Sequence, residues 1–155
     1  YQNVWISSLY EDQESELRTI LSHIDNILQD ENEQAEGVCI VAPQRRLVAR
    51  YQSALQQQGY STVILEAREP DDISKKGIRI ATMHRVKGVE FNHVIVAGIN
   101  NSNLPLTPED DASYDIDKLE RNRSLLHVAA TRSRGSVLIT GSGKKPELLS
   151  GAQGS

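Results

Sequence analysis

Residues 37–65 read GVCIVAPQRRLVARYQSALQQQGYSTVIL and contain a complete strand, helix and strand pattern. The run from Val38 to Ala42 is apolar at every position, which is typical of a strand buried on both faces, and a proline ends it. Leu47 to Gln58 carries apolar residues at helical spacing, with Gly59 where a left-handed cap is expected. A second strand is predicted from Thr62 to Leu65. Two such strands joined by a helix predict an α/β fold with a mostly parallel sheet.

The same alternation continues along the chain. Two further helices are predicted, from Glu14 to Gln29 and from Asp117 to Arg134. Four further strands are predicted: Val4 to Leu9, Ile78 to Met83, His93 to Ile99 and Ser136 to Thr140. Short apolar strands separated by helices predict helices on both faces of the sheet. The polar segments 66–77 and 100–116 are long for a compact domain, so we interpret them as insertion points or functional loops.

The composition fits a single domain. With 155 residues and 38% hydrophobic content, the chain can bury one core. Its one cysteine, Cys39, excludes a disulfide framework and suits a reduced compartment. No apolar run approaches the ~20 residues that span a bilayer, so we expect a cytoplasmic protein with no membrane partner. The first residue is not Met, which indicates a piece of a longer polypeptide; we expect a monomeric domain over 1–149 and a flexible tail at 150–155.

Charge is unevenly distributed. The chain has 17 basic and 21 acidic residues and a net charge of −4, the wrong sign for gripping nucleic acid by overall electrostatics. Basic residues nevertheless gather at Arg45 and Arg46, from Arg79 to Lys87, and from Arg121 to Arg134. We therefore expect a locally basic face on an acidic protein.

Residues 81–91, ATMHRVKGVEF, concentrate hydrogen-bond donors where a predicted strand ends. In parallel sheets, ligands bind beyond the carboxyl ends of the strands. The donors there, of the kind that contacts phosphate, are Thr82, His84, Arg85 and Lys87. Gly88 has no side chain and allows a close backbone approach. An ordinary solvated loop is the alternative interpretation, and the stretch alone leaves both open.

Residues 121–134, RNRSLLHVAATRSR, are predicted to end the last helix with Arg132 near its far end. An arginine held in this way suits bidentate contact with phosphate. The alternative is that it only complements the helix dipole. We interpret His23, His93 and His127 as structural, because no three ligands show metal spacing.

Together, the two stretches resemble motifs V and VI of the UvrD/Rep family of superfamily 1 helicases. The family pattern is roughly T-x-H-x-x-K-G-x-E-[FY] and then, after a strand and a loop, L-x-V-A-x-T-R-[AS]. The first pattern is matched within 82–91 and the second within 125–134, at Thr82, His84, Lys87, Gly88, Glu90, Phe91, Leu126, Val128, Ala129, Thr131, Arg132 and Ser133. Residues 37–65 are similar to the start of this family's second motor domain, so the resemblance spans about residues 3–141. It implies a three-layer RecA-like fold related to the P-loop NTPases.

The resemblance implies the C-terminal motor domain of an ATP-dependent DNA helicase or translocase, which holds ATP between two RecA-like domains. Glu90 is then expected to approach the ribose, and Gly88 to give a close backbone approach. Arg132 is expected to reach the γ-phosphate as an arginine finger.

The resemblance also implies a path for single-stranded DNA. Thr82 and His84 are expected to face DNA phosphates, with Arg85 and Lys87 as helpers. Arg45, at the end of the first buried strand, is a further candidate for the DNA backbone.

Two parts of an ATPase are missing from the sequence. The stretch Gly141 to Lys145, GSGKK, resembles a phosphate loop, but Leu138 stands at its earlier glycine and Lys145 replaces the Ser/Thr. Glu11-Asp12 is predicted to start the first helix, and no other Asp-Glu pair suits Mg²⁺. We therefore expect the first RecA-like domain of the same polypeptide to hold ATP and Mg²⁺, and this chain alone to bind no metal and hydrolyse no ATP.

Two alternatives stay open. The chain could be a stand-alone RecA-like module that binds protein or nucleic acid without motor activity. It could also belong to an RNA translocase, because phosphate contacts do not sense the 2′-hydroxyl.

Segment 66–77 stands where many family members insert an accessory domain and is too short for one.

Overall fold

The computed structural model describes residues 3–7, 10–66, 70–72, 74–86, 89–106, 115–146 and 149. The strands are β1 (Asn3–Ile6), β2 (Val38–Ala42), β3 (Thr62–Ile64), β4 (Ile78–Thr82), β5 (Phe91–Val96) and β6 (Ser133–Ile139). They form one six-stranded sheet in the order β1-β6-β5-β2-β4-β3. Every neighbouring pair is parallel, so all strands end at one common edge, the carboxyl edge.

Helices cover both faces of this sheet. The α-helices among the described residues are α1 (Gln13–Leu28), α2 (Arg45–Gln57) and α3 (Ile116–Ala130). On one face, α1 and α2 pack apolar side chains against Ile40 and Ile80. On the other face, α3 packs Leu126 and Ala129 against Val41 and its neighbours. The predicted three-layer α/β fold is confirmed.

Local signals place the helix ends. Asp12 caps α1, accepting a hydrogen bond from the Ser15 backbone N–H at 2.8 Å, as predicted for the start of this helix. Gly59 follows α2 with φ +89°, the left-handed conformation predicted for it. Cys39 is fully buried and unpaired, so it is a core residue, as its apolar neighbours indicated.

Several predicted element ends are wrong, among them the end of the last helix and the starts of the last two strands. The last helix stops at Ala130 rather than Arg134, because the backbone carbonyl of Arg132 already accepts from Phe91 N–H at 2.8 Å. The strand predicted from His93 therefore begins at Phe91. His127, interpreted from the sequence as a structural residue, is exposed on α3.

Arg79 departs from the predicted basic face, because its side chain is fully buried. Its guanidinium pairs with the Asp71 carboxylate at 3.2 Å and donates to the carbonyls of Gly77 at 2.8 Å and Asp72 at 2.9 Å. A buried charge needs such partners to offset its lost hydration. Arg79 thus anchors the described residues before β4 to this strand.

A buried carboxylate joins the helices to the carboxyl edge. Glu16 of α1 is 2% exposed. It accepts from the Tyr51 hydroxyl at 2.9 Å, the Gly98 N–H at 2.8 Å and the Thr140 hydroxyl at 2.9 Å. Burial, followed by the charge of Glu16, raises the pKa of Tyr51, so this hydroxyl remains a donor. One side chain therefore connects α1, α2 and the segments that follow β5 and β6.

Replacing this carboxylate should destabilise the fold. Glu16→Ala leaves buried donors without an acceptor and should lower the free energy of unfolding by about 3 kcal/mol in urea titrations. The matched control is Glu14→Ala, an exposed position on the same helix, which should stay within about 0.5 kcal/mol of the parent. Equal effects of the two substitutions would contradict the role assigned to Glu16.

Candidate functional site

The segment between β4 and β5 crosses the sheet from one edge to the other. Thr82 ends β4 at the carboxyl edge, whereas Phe91 begins β5 at the opposite, amino edge. Between them, Met83 and Val86 are buried in the core on the α3 face. The Met83 N–H also donates to the Ala42 carbonyl at 3.0 Å. We call residues 83–90 the crossover segment. Because of it, the motif at 82–91 begins at the carboxyl edge of the sheet and ends at the amino edge.

A groove of about 750 Å³ lies at the carboxyl edge, beyond the ends of β2, β3 and β4. Its lining includes Arg45, Thr82, His84 and Arg85, so residues predicted from separate parts of the sequence are brought together. Arg45 is the first residue of α2 rather than a loop residue. A hydroxyl, an imidazole and two guanidinium groups in one groove form a donor set suited to phosphate oxygens. We call this the carboxyl-edge groove.

Arg85 is not free within the groove. Its Nε donates to the backbone carbonyl of Glu66, which ties the start of the crossover segment to the residues after β3. His84 is exposed and also borders a second hollow of about 620 Å³. That hollow lies against α3 and includes Leu125 and Val128. His84 therefore lines both the carboxyl-edge groove and the hollow against α3.

Glu90 and Arg132 lie together at the amino edge. Glu90 is exposed and directly precedes Phe91, whose N–H donates to the Arg132 carbonyl at 2.8 Å. The half-buried Arg132 side chain turns back on the end of α3, with Nε 3.3 Å from the Val128 carbonyl and Nη2 3.4 Å from the Thr131 hydroxyl. These are long hydrogen bonds that a better acceptor can replace. Lys87 and Gly88 lie outside the described residues.

A loop of asparagines at the end of β5 was not predicted to be a structural link. Asn103 accepts from Arg46 Nη2 at 2.8 Å and donates to the Gly98 carbonyl at 3.0 Å. Its backbone carbonyl accepts from the Gln44 side chain at 3.1 Å. The sequence signal was the run Asn100-Asn101-Ser102-Asn103 after a strand, which reads as a turn until its distant partners are known. This loop fixes the start of α2, where Arg45 enters the groove.

Two histidines away from the groove, His23 and His93, contact neighbouring side chains of the fold. His23 packs edge-on against Trp5, with ring centroids 6.0 Å apart, and burial, followed by nearby His93, lowers its pKa. His93 lies between Ser136 and Glu33, with Nδ1 2.6 Å from the Ser136 hydroxyl.

Among the described residues, no group of three or more His, Cys, Asp or Glu side chains could hold a metal ion. In that same part of the chain, no helix is long and apolar enough to cross a membrane.

Comparison with known families accounts for this combination of features. A family model for the UvrD-like helicase C-terminal domain matches residues 61–143. The match covers just over half of the 155-residue chain and includes the crossover segment and Arg132. The chain therefore belongs to the UvrD-like helicase C-terminal domain family.

Individual relatives agree with the family. The chain is 33% identical over 78 residues to the ATP-dependent DNA helicase Rep of Buchnera aphidicola subsp. Schizaphis graminum, which is 50% of this chain and 11% of that protein. It is 32% identical over 75 residues to the ATP-dependent DNA helicase UvrD2 of Mycobacterium bovis, which is 48% of this chain and 10% of that protein. The chain thus spans about a tenth of the length of these curated relatives.

A solved structure has the same fold. The C-terminal domain of a possible DNA helicase from Lactobacillus plantarum WCFS1 superposes with a TM-score of 0.68 and 17% sequence identity. The superposition covers 96% of this chain and 78% of that one. The helicase-type α/β fold therefore extends beyond the span of the family match, to almost the whole chain.

Proposed function

We propose that this chain is the second motor domain of an ATP-dependent DNA helicase or translocase, and that it acts with a first RecA-like domain in the same polypeptide. The observation that carries the proposal is the crossover segment. It starts beside the carboxyl-edge groove and ends at Glu90, next to Arg132. Binding of DNA at one end and of nucleotide at the other can thereby influence each other through one short stretch of chain.

The nucleotide contacts in this proposal are Glu90, Gly88 and Arg132. ATP lies between the two motor domains, with the Glu90 carboxylate toward the ribose and Gly88 close to the nucleotide. The Arg132 guanidinium leaves the end of α3 and contacts the γ-phosphate, where its permanent charge stabilises the transition state. Because the sequence carries neither a complete phosphate loop nor an Asp-Glu pair suited to Mg²⁺, we assign the metal ligands and the phosphate loop to the first motor domain.

The DNA contacts in this proposal line the carboxyl-edge groove. Thr82 and His84 donate to backbone phosphates, and Arg45 and Arg85 add positive charge. Lys87 is assigned to the same path from its place in the motif. Contacts of this kind hold a strand without reading its bases, as translocation along any sequence requires.

The arginine assignment can be tested in the full-length protein. Arg132→Ala should lower the DNA-stimulated kcat for ATP hydrolysis by about 10³-fold, because no other group replaces the lost charge at the γ-phosphate. Steady-state phosphate release measures this change. Arg134→Ala is the matched control, since Arg134 is exposed and contacts Asn92, and it should keep near-parent turnover. Near-parent turnover in Arg132→Ala would contradict the assignment.

The groove assignment can be tested on this chain with a labelled oligothymidylate. Arg45→Gln should reduce the slope of log K against log salt by about 0.7, the value for one lost phosphate contact on a single strand. The double variant Thr82→Ala/His84→Ala should weaken binding, because it removes the hydroxyl and imidazole that donate to the phosphates.

Fluorescence anisotropy across a salt series measures both effects. Arg18→Gln, at an exposed position on α1 away from the groove, is the matched control and should leave the slope unchanged. If Arg45→Gln behaves like Arg18→Gln, the groove is not the path of the strand.

A further inference from the structure

The loop after β6 is unexpectedly well fixed for an exposed glycine-rich turn. Its sequence, Gly141 to Lys145, resembles a phosphate loop but lacks the residues that such a loop needs. The structure gives it three attachments. The Gly143 N–H donates to the Glu11 carbonyl at 2.6 Å, the Ser142 carbonyl accepts from the Asn100 side chain at 2.9 Å, and the Lys145 ammonium lies over the Tyr10 ring, 5.6 Å from its centroid.

Both glycines of this loop, Gly141 and Gly143, are required by these contacts. Gly143 has φ +75°, which side chains other than glycine rarely adopt. A Cβ on Gly141 would lie 2.4 Å from the Ile99 carbonyl oxygen and 2.6 Å from the Tyr10 ring. Lys144 stands between Gly143 and Lys145, whose contacts are given above, and is exposed. Its backbone is therefore held in one place while its ammonium remains available to a partner.

A line of hydrogen bonds connects this loop to the carboxyl-edge groove. Arg46, beside the groove residue Arg45, donates to the Asn103 side chain at 2.8 Å. The Asn103 N–H donates to Asn100 Oδ1 at 2.9 Å, and Asn100 donates onward to Ser142. The line follows the carboxyl edge from β2 over β5 to β6. At about 4.8 Å per strand, the distance from β4 to β6 is about 14 Å.

We propose that single-stranded nucleic acid bound in the carboxyl-edge groove continues along this line, and that Arg46 and Lys144 contact its phosphates. The inference rests on the proposed function, since it extends the same path. The chain carries a net charge of −4, yet positive side chains mark both ends of this edge. A linear polyanion fits cations spaced along an edge, whereas a small anion would engage only one of them.

The test compares oligothymidylates of about 2 and about 16 nucleotides on this chain, because only the longer one can reach from the groove to Lys144. Lys144→Gln should weaken binding of the long oligonucleotide roughly fivefold at 0.1 M salt and lower its salt slope by about 0.7, because one phosphate contact is lost. Binding of the short oligonucleotide, which the groove alone accommodates, should not change. Lys75→Gln is the matched control, because Lys75 is exposed beside the amino end of β4.

The outcomes separate this inference from the proposed function. Equal losses for both oligonucleotides, or no loss for the long one, would overturn the extended path while leaving the groove in place. Failure of the parent chain to bind either oligonucleotide would overturn the groove and its extension together. A loss for Lys75→Gln as large as that for Lys144→Gln would reduce the effect to overall charge and would also overturn the path.

Discussion

Parallel pairing of all six strands is the constraint on which the rest of the structure depends. A parallel strand cannot follow its neighbour through a tight turn, so each connection must cross from the carboxyl edge back to the amino edge. Most connections of this kind contain a helix. Between β4 and β5 the described residues of the crossover segment, 83–86, 89 and 90, contain no helix, and Met83 and Val86 bury part of this segment in the core. The two ends of one short motif, Thr82 and Glu90, are thereby separated by about the length of a strand.

Buried charges make the framework around this segment rigid. Glu16 binds two helices and the ends of two strands at the carboxyl edge. Arg79 anchors the segment before β4 through Asp71 and two carbonyls. Each charge has several hydrogen-bond partners, which offset the cost of removing it from water. The described walls of the groove are thus held by contacts within the protein, which in the proposed function lowers the ordering cost of binding a strand of nucleic acid.

The layers of the fold could be predicted because both faces of each central strand are buried, and Val38–Ala42 is accordingly apolar throughout. Element ends were less predictable, because long-range contacts set them: the Phe91 to Arg132 hydrogen bond ends α3 early and starts β5 early. Arg79 looked like surface charge because its partner Asp71 lies in an irregular segment. The groove residues could be predicted from their pattern, whereas Asn103 could not, because its partner Arg46 is 57 positions away in the sequence.

The central claim is that binding of a strand in the carboxyl-edge groove changes the environment of Glu90 and Arg132 at the amino edge, through the crossover segment. The most direct measurement is the change in backbone amide chemical shifts when this chain is titrated with a short oligothymidylate. The account predicts shifts at Thr82 and Arg85 together with shifts at Val89, Glu90 and Arg132, all following the same binding curve. Shifts confined to the groove, with Glu90 and Arg132 unchanged at saturation, would contradict it.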